Sequence, residues 1–348
     1  MLFFCDKPED PKEDDTAPNV TTVAQDKESL EKYSSDLINC IKDIKNGDLV
    51  STVQTMFDIS QGEGDGEWVQ EMVDSLEGII DVDDIETQNR FSLPTYKGIY
   101  TYSSVSKKWT KTNSSNGYVV FNFPSQENGT NDLKLSLTEY SDKLTNFEGD
   151  DIGVPIRVNL VLTKNGQKLA SFKLNSITWV ESGDFSLPIA VDAQIFLSPL
   201  TIDISGRSLQ GKEFDADITL SKSGCNITFN TEFELLHDDY STLEDTDIDN
   251  VKMSLSFNNL KVTSNIDVNT LSAIDDPSAS QVNSLLDIDV LKSGQKIADV
   301  ELKEDSEGDF IPYLVYKDAS EEEIDEAYAT QFLDDLELAL FDLLGDLD

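Results

Sequence analysis

Val251-Lys252-Met253-Ser254-Leu255-Ser256-Phe257-Asn258 alternates apolar and polar residues without a break. Successive side chains of a β-strand point to opposite faces, so this spacing predicts one dry face and one wet face. The same period recurs upstream. Leu133, Leu135 and Leu137 alternate with Lys134, Ser136 and Thr138. Ile156, Val158, Leu160 and Leu162 alternate with Arg157, Asn159 and Thr163, and Phe229, Phe233 and Leu235 with Asn230, Glu232 and Glu234. Parallel strands covered on both sides would read as more uniformly apolar runs. No crossover helix is expected between about residues 95 and 315, which excludes a Rossmann fold or a (β/α) barrel.

A short pattern repeats inside this region. Val158 to Ala170 holds a strand, Lys164-Asn165-Gly166, then a strand; Ile288 to Ala298 holds a strand, Lys292-Ser293-Gly294, then a strand. Ile218 to Ile227 is a weaker third copy around Lys222-Ser223-Gly224. Asn-Gly and Ser-Gly suit the positive φ angles of a tight hairpin turn. The spacing is uneven, 58 residues from Gly166 to Gly224 and 70 from Gly224 to Gly294. Uneven spacing predicts duplicated hairpins in one sheet rather than a solenoid or propeller.

Helical periodicity flanks the strands. Leu30, Tyr33, Leu37, Ile41 and Ile44 line one face between Asp26, read as a cap, and Gly47, read as a stop. Two shorter helices follow, one from Asp48 and one from about Glu67 to Leu76. Between them, Gly62-Glu63-Gly64-Asp65-Gly66 reads as a turn, because its two acids would repel a phosphate. At the other end Ser320 and Glu323 match a capping box, and Ile324, Tyr328, Phe332, Leu336, Leu340, Leu343 and Leu347 form an apolar stripe.

The expected fold is α+β and mainly β: a large, curved, one-sided antiparallel sheet, half-barrel-like, covered by N-terminal helices and a C-terminal helix. The expected organisation is an acidic disordered tether over 1–20, a helical segment over 21–90, the β region over 91–317 and an amphipathic helix over 318–348 that packs on the sheet. Residues 21–348 form one domain in this reading.

Charge and residue counts prune the chemistry. There are 26 Lys plus Arg against 68 Asp plus Glu, a formal net charge of −42. Nucleic acid and anionic lipid surfaces would both repel such a chain. The cysteines, Cys5, Cys40 and Cys225, show no CxxC spacing, and their positions leave open whether Cys40 and Cys225 pair. A lone histidine, His237, cannot build a multi-histidine metal site and has no nucleophile motif near it. Calcium loops fail at Asp81-Val82-Asp83-Asp84 and at Asp245 to Asn250, where positions six and twelve are wrong for an EF-hand. No cofactor, metal site or catalytic residue is implied, and the balance leans away from an enzyme. Paired carboxylates are the exception, since 68 acids hide any signal. Trp109, with Tyr100 and Tyr102, reads as an aromatic hairpin and is also the one candidate ligand platform.

The N-terminus carries a resemblance. Leu2-Phe3-Phe4-Cys5 resembles the end of a bacterial lipoprotein signal, whose cysteine is lipidated, and the acids that follow resemble the surface-export signal of Bacteroidota lipoproteins. Asp15-Thr16-Ala17 and Asp74-Ser75-Leu76 look like the O-glycosylation motif of that phylum. Four residues precede Cys5, fewer than the roughly 7–15 apolar residues of a full signal. The resemblance implies an outer-membrane-anchored cell-envelope lipoprotein lipidated at Cys5; the alternative is a cytoplasmic protein with an acidic tail. The architecture is also similar to half-open barrels of lipoprotein carriers, in which helices plug a sheet that accepts acyl chains. Partners on this reading are a lipid or other apolar ligand, or another envelope protein, with membrane contact only through a lipid anchor. A surface glycan-binding or glycan-processing protein and a structural interaction module are the alternative functions.

Overall fold

The computed structural model describes residues 21–42, 47–57, 67–77, 90–147, 150–182, 185–208, 211–239, 247–306 and 308–324. Sixteen strands form one curved sheet that does not close into a barrel. They are β1 (Gly98–Ser103), β2 (Lys108–Thr112), β3 (Val119–Phe123), β4 (Leu133–Phe147), β5 (Asp150–Lys164), β6 (Gln167–Ser182), β7 (Phe185–Leu197) and β8 (Leu200–Ser208). Then follow β9 (Glu213–Lys222), β10 (Cys225–Leu235), β11 (Ile248–Phe257), β12 (Leu260–Asp267), β13 (Leu286–Lys292), β14 (Gln295–Glu304), β15 (Phe310–Tyr316) and β16 (Glu321–Glu323). From β3 to β16 each strand pairs antiparallel with its sequence neighbours. Among the described residues the one departure from antiparallel pairing is β1 against β3, with β2 on the far side of β1 as the sheet edge.

The repeated Lys-x-Gly motifs are the turns β5–β6, β9–β10 and β13–β14, all at the same end of the sheet. Asn165 and Gly166 both have positive φ (51° and 83°), as do Ser293 and Gly294 (51° and 79°), the backbone that twists with a hairpin. One further turn at this end, β7–β8 or β11–β12, falls between each pair of copies, and the second interval is the longer because residues 268–285 separate β12 from β13.

Helix α1 (Val23–Lys42) runs across that row of turns. Thr22 starts it, in a reciprocal box with Gln25: the Gln25 N–H donates to Thr22 Oγ1 (3.3 Å) and the Thr22 N–H to Gln25 Oε1 (2.9 Å). Asp26, expected as the cap, lies a turn further in and is wholly buried. Its carboxylate instead accepts from Thr21 Oγ1 at 2.5 Å and meets Lys317 Nζ at 3.0 Å, with Lys292 Nζ at 3.9 Å. Tyr33 donates its hydroxyl to Asn259 in the β11–β12 turn, and Cys40 forms a disulfide with Cys225 at the β9–β10 turn, Cα–Cα 6.0 Å. Tyr33 and Cys40 are one heptad apart, about 10.5 Å of helix, and the turns they meet are two strands apart, about 9.6 Å. Helix rise and strand spacing match, so one face of α1 reads successive hairpins.

Gly47 then passes the β7–β8 turn so closely that a Cβ would collide with the Ser198 carbonyl oxygen. Helix α2 (Asp48–Phe57) reaches the β5–β6 turn, where Gln167 donates to Asp48 Oδ2 at 2.8 Å. Helix α3 (Glu67–Glu77) covers the other end of the sheet. Its Val69 and Met72 pack on Tyr96, from the single-turn helix α4 (Leu93–Tyr96), and on Tyr100, Tyr102, Trp109 and Val119.

Two short helices interrupt the strand region, α5 (Val268–Ser272) and α6 (Ala279–Leu285), both between β12 and β13. They link antiparallel neighbours and so are no crossover. Asn283 of α6 donates to the Leu302 carbonyl and accepts from the Leu302 N–H, both at 2.8 Å. One side-chain amide thereby replaces the strand partner that β14 lacks there.

The C-terminal helix expected from residue 318 is corrected at its start. Glu321–Glu323 form β16, an edge strand on β15. Each acid finds a partner there: Glu321 pairs with Lys303, Glu322 with Lys27 (2.8 Å), and Glu323 accepts from the Tyr313 hydroxyl (3.1 Å). Glu323, the acid of the expected capping box, is engaged instead by Tyr313 and the ladder to β15. Residues 325–348, the tether, Cys5, the Gly62–Gly66 loop and Asp81–Asp84 lie outside the described residues.

Candidate ligand-binding strip

Registers across the meander place one apolar side chain on each of twelve successive strands. The row runs Tyr140, Val158, Leu174, Ala193, Ile204, Ile218, Phe229, Leu255, Val262, Val290, Ala298 and Tyr316. The opposite face carries Asp203, Asp217, Thr228, Asn230, Ser254 and Thr263, tied by cross-strand bonds such as Ser254 Oγ to Asn230 Oδ1 at 3.0 Å. The sheet is one-sided, as the alternation implies.

Among the described residues, cover over the apolar face is incomplete. Val290, Ala298 and Tyr316 are buried with Val23 and Leu30 of α1 packed against them. Further along, α1 stands over the next row toward the turns, where Tyr33 and Leu37 pack on Cys225, Ile227 and Phe257. Leu255 is two residues along β11 from Phe257 and on the same face. Phe257 is 5% exposed and Leu255 is 39% exposed, so the edge of α1 lies between them. Neighbouring Ile218 and Phe229 are half-buried, as are Val251, Met253 and Ile266 on the same face further from the turns. Phe214 and Phe233 stack there with ring centroids 4.8 Å apart. This strip over β9–β12 offers apolar side chains with no charged residue in register among them, a surface suited to acyl or other apolar groups.

The aromatic platform expected at Trp109, Tyr100 and Tyr102 is corrected. All three are buried, at 8%, 0% and 6% exposure, beneath α3. The indole N–H of Trp109 donates to the Met72 carbonyl at 2.8 Å, and the Tyr100 hydroxyl donates to the Tyr96 carbonyl at 2.7 Å. These are core contacts with no ring face left for a sugar. His237 lies beside Asp247 at 3.1 Å near the start of β11, and Asp249 accepts from Asn269, so the described part of the Asp245–Asn250 run is engaged in local pairs.

Among the described residues one acidic group has metal-like spacing, Asp287, Asp289 and Asp299. Lys296 already fills it, 2.6 Å from Asp289 and also paired with Asp299. Hydrogen bonds to Asp289 and then Asp299 hold its ammonium well above the usual lysine range. A depression of about 280 Å³ on the polar face is lined by Lys252, Lys261, Thr263, Asn265 and Asp287, a mixture of signs without an aromatic wall. Sequence reasoning did not single out the apolar strip as a site. Its signal was the alternation itself, but its exposure depends on where α1 stops. No family model, curated protein or solved structure matches this chain.

Proposed function

We propose that this chain is a non-enzymatic binding protein for an apolar ligand, which it takes up on the strip over β9–β12. The observation that carries the reading is the step in exposure from Phe257 to Leu255 along the apolar face of β11. Leaving a Leu or Phe side chain uncovered forgoes about 1.5–3 kcal/mol of burial, which a ligand can recover.

We further propose that it works in the cell envelope, held by a lipid at Cys5. The Cys40–Cys225 disulfide supports an oxidising compartment, because cytosolic thiols are kept reduced. No described helix is long and apolar enough to cross a membrane, and the −42 charge opposes direct contact with anionic lipid, so the anchor would supply membrane attachment. Another envelope protein bearing an exposed acyl chain fits the same strip. The glycan reading loses its support with the burial of Trp109.

Titration of the full chain with Nile red, an uncharged apolar dye, tests the ligand reading. Saturable fluorescence that a diacyl lipid displaces is the expected result. Fluorescence that never saturates, or that lipid does not displace, overturns it.

A further inference from the structure

We propose that the free edge of β2 takes up an extended acidic segment of another protein, which adds to the sheet as one further strand. Charge marks this edge. Between Arg90 and Gln126 the sequence holds five bases, Arg90, Lys97, Lys107, Lys108 and Lys111, and no acid, in a chain of net charge −42. Two of the five are taken: Arg90 pairs with Asp142 at 2.7 Å and Lys107 with Glu71. Lys97, Lys108 and Lys111 are exposed and pair with no acid among the described residues. Lys111 lies over the Tyr100 ring, 5.2 Å from its centroid.

Backbone geometry makes the edge receptive. β2 pairs with β1 over its whole length without a bulge, and among the described residues no strand lies on its other side. Thr110 Oγ1 donates to the Thr101 carbonyl and Thr112 Oγ1 to the Ile99 carbonyl, both at 3.3 Å, so those carbonyls point at β2. Inward and outward backbone groups alternate along an edge strand, so the N–H and C=O of Trp109 and Lys111 point away from β1. No other backbone group of the described residues bonds them. A strand brings N–H and C=O groups at the matching spacing, whereas a polysaccharide or nucleic acid has no such row, which favours a peptide.

The opposite edge offers no equivalent. β16 is three residues long, and Glu321, Glu322 and Glu323 are engaged by Lys303, Lys27 and Tyr313. A second copy presenting β16 is therefore the weaker occupant, and a second β2 is repelled by its own lysines. Lysine is also a residue that keeps edges from pairing at all; an acidic strand turns that repulsion into attraction. Lys108 and Lys111 are three residues apart and so project from opposite faces of the sheet. A partner strand meets both with two acids at positions i and i+3. At physiological salt the remaining negative charge is screened beyond about 8 Å, so these contacts decide the docking. It needs neither the apolar strip nor its ligand.

Fluorescence anisotropy with the full chain is the test. The probe is a short labelled peptide with glutamate at every third position and threonine or valine between. Saturable binding is expected, weakened about tenfold by Lys108→Glu with Lys111→Glu. Lys111 contacts Tyr100, so Lys108→Glu alone, at an exposed side chain, is the second variant and should weaken binding in the same direction. Methylating alternate backbone nitrogens keeps the peptide's charge and blocks one of its edges, so one of the two methylation phases should abolish binding. No saturable binding to the parent chain overturns the proposal, and so does equal binding to the parent and both variants. Equal binding of both methylated peptides overturns strand addition. Dextran sulfate that binds at these lysines when the peptide does not would assign the edge to a polyanion instead.

Discussion

The carboxylate of Asp26, wholly buried in α1, lies 3.0 Å from the ammonium of Lys317, 291 residues further along the chain. Lys292 approaches the same carboxylate at 3.9 Å. One acid therefore ties the first helix to two hairpins at the far end of the sequence.

Replacing Asp26 by Ala should destabilise the fold by about 2 kcal/mol. That is below the roughly 3–5 kcal/mol of a fully buried pair, because Lys317 and Lys292 are partly exposed and can turn to water. Urea unfolding is the measurement. A midpoint equal to that of the parent chain would show that the contact contributes nothing.

The disulfide closes a sequence separation of 185 residues, which limits the unfolded chain by about 5 kcal/mol in the loop-entropy picture. Thiol titration of the chain, unlipidated and under denaturing conditions, should find one free thiol, Cys5, and three after reduction. Reduction should also lower the melting temperature. Three thiols without reductant would remove the bond from the account.

Glu322 sits below the usual glutamate range, chiefly because Lys27 hydrogen-bonds it, with Tyr316 adding a second bond against the opposing effect of burial. A depressed folded pKa contributes stability above the unfolded pKa of about 4.3, and that stability is lost as pH falls through the folded value. The side chain is 46% exposed, so the contribution is a few tenths of a kcal/mol at most. Falling pH also relieves self-repulsion of the −42 chain, which acts the other way. Comparing parent and Glu322→Gln between pH 6 and 3, on the order of two units around that pKa, isolates the local effect. The parent's advantage should shrink toward the acid end; an advantage that is constant with pH would contradict the assignment.

Much of the fold was legible because it is local. Alternation from Val251 to Asn258 reports a two-faced strand whatever its neighbours, and Asn165-Gly166 reports its own turn. The order of β1, β2 and β3 was not, since periodicity names a strand's faces and not its partner. Trp109 shows the same limit. An aromatic hairpin reads alike whether it faces a sugar or a core, and α3, which decides the matter, lies earlier in the chain. Ser278 with Gln281 is a capping box that marks α6 and was readable. The Cys40–Cys225 pairing depends on the match between one heptad of α1 and two strand spacings, which becomes visible only once the turns are known to share an end.

Phe257 and Leu255 should separate stability from binding. Phe257→Ala empties a buried site against Tyr33 and Leu37 and should cost about 3–5 kcal/mol. Leu255→Asp touches a side chain that is 39% exposed and should cost under about 1 kcal/mol. Equal losses for the two would mean that cover over this face does not stop where α1 stops.

The most direct measurement is the Nile red titration of Leu255→Asp beside the parent chain and Val105→Asp, a control at a turn residue that is 98% exposed. A charge placed in the strip should weaken dye affinity at least about tenfold while the control binds like the parent. Superimposable curves for all three chains would contradict the claim that this strip is where the protein holds its ligand.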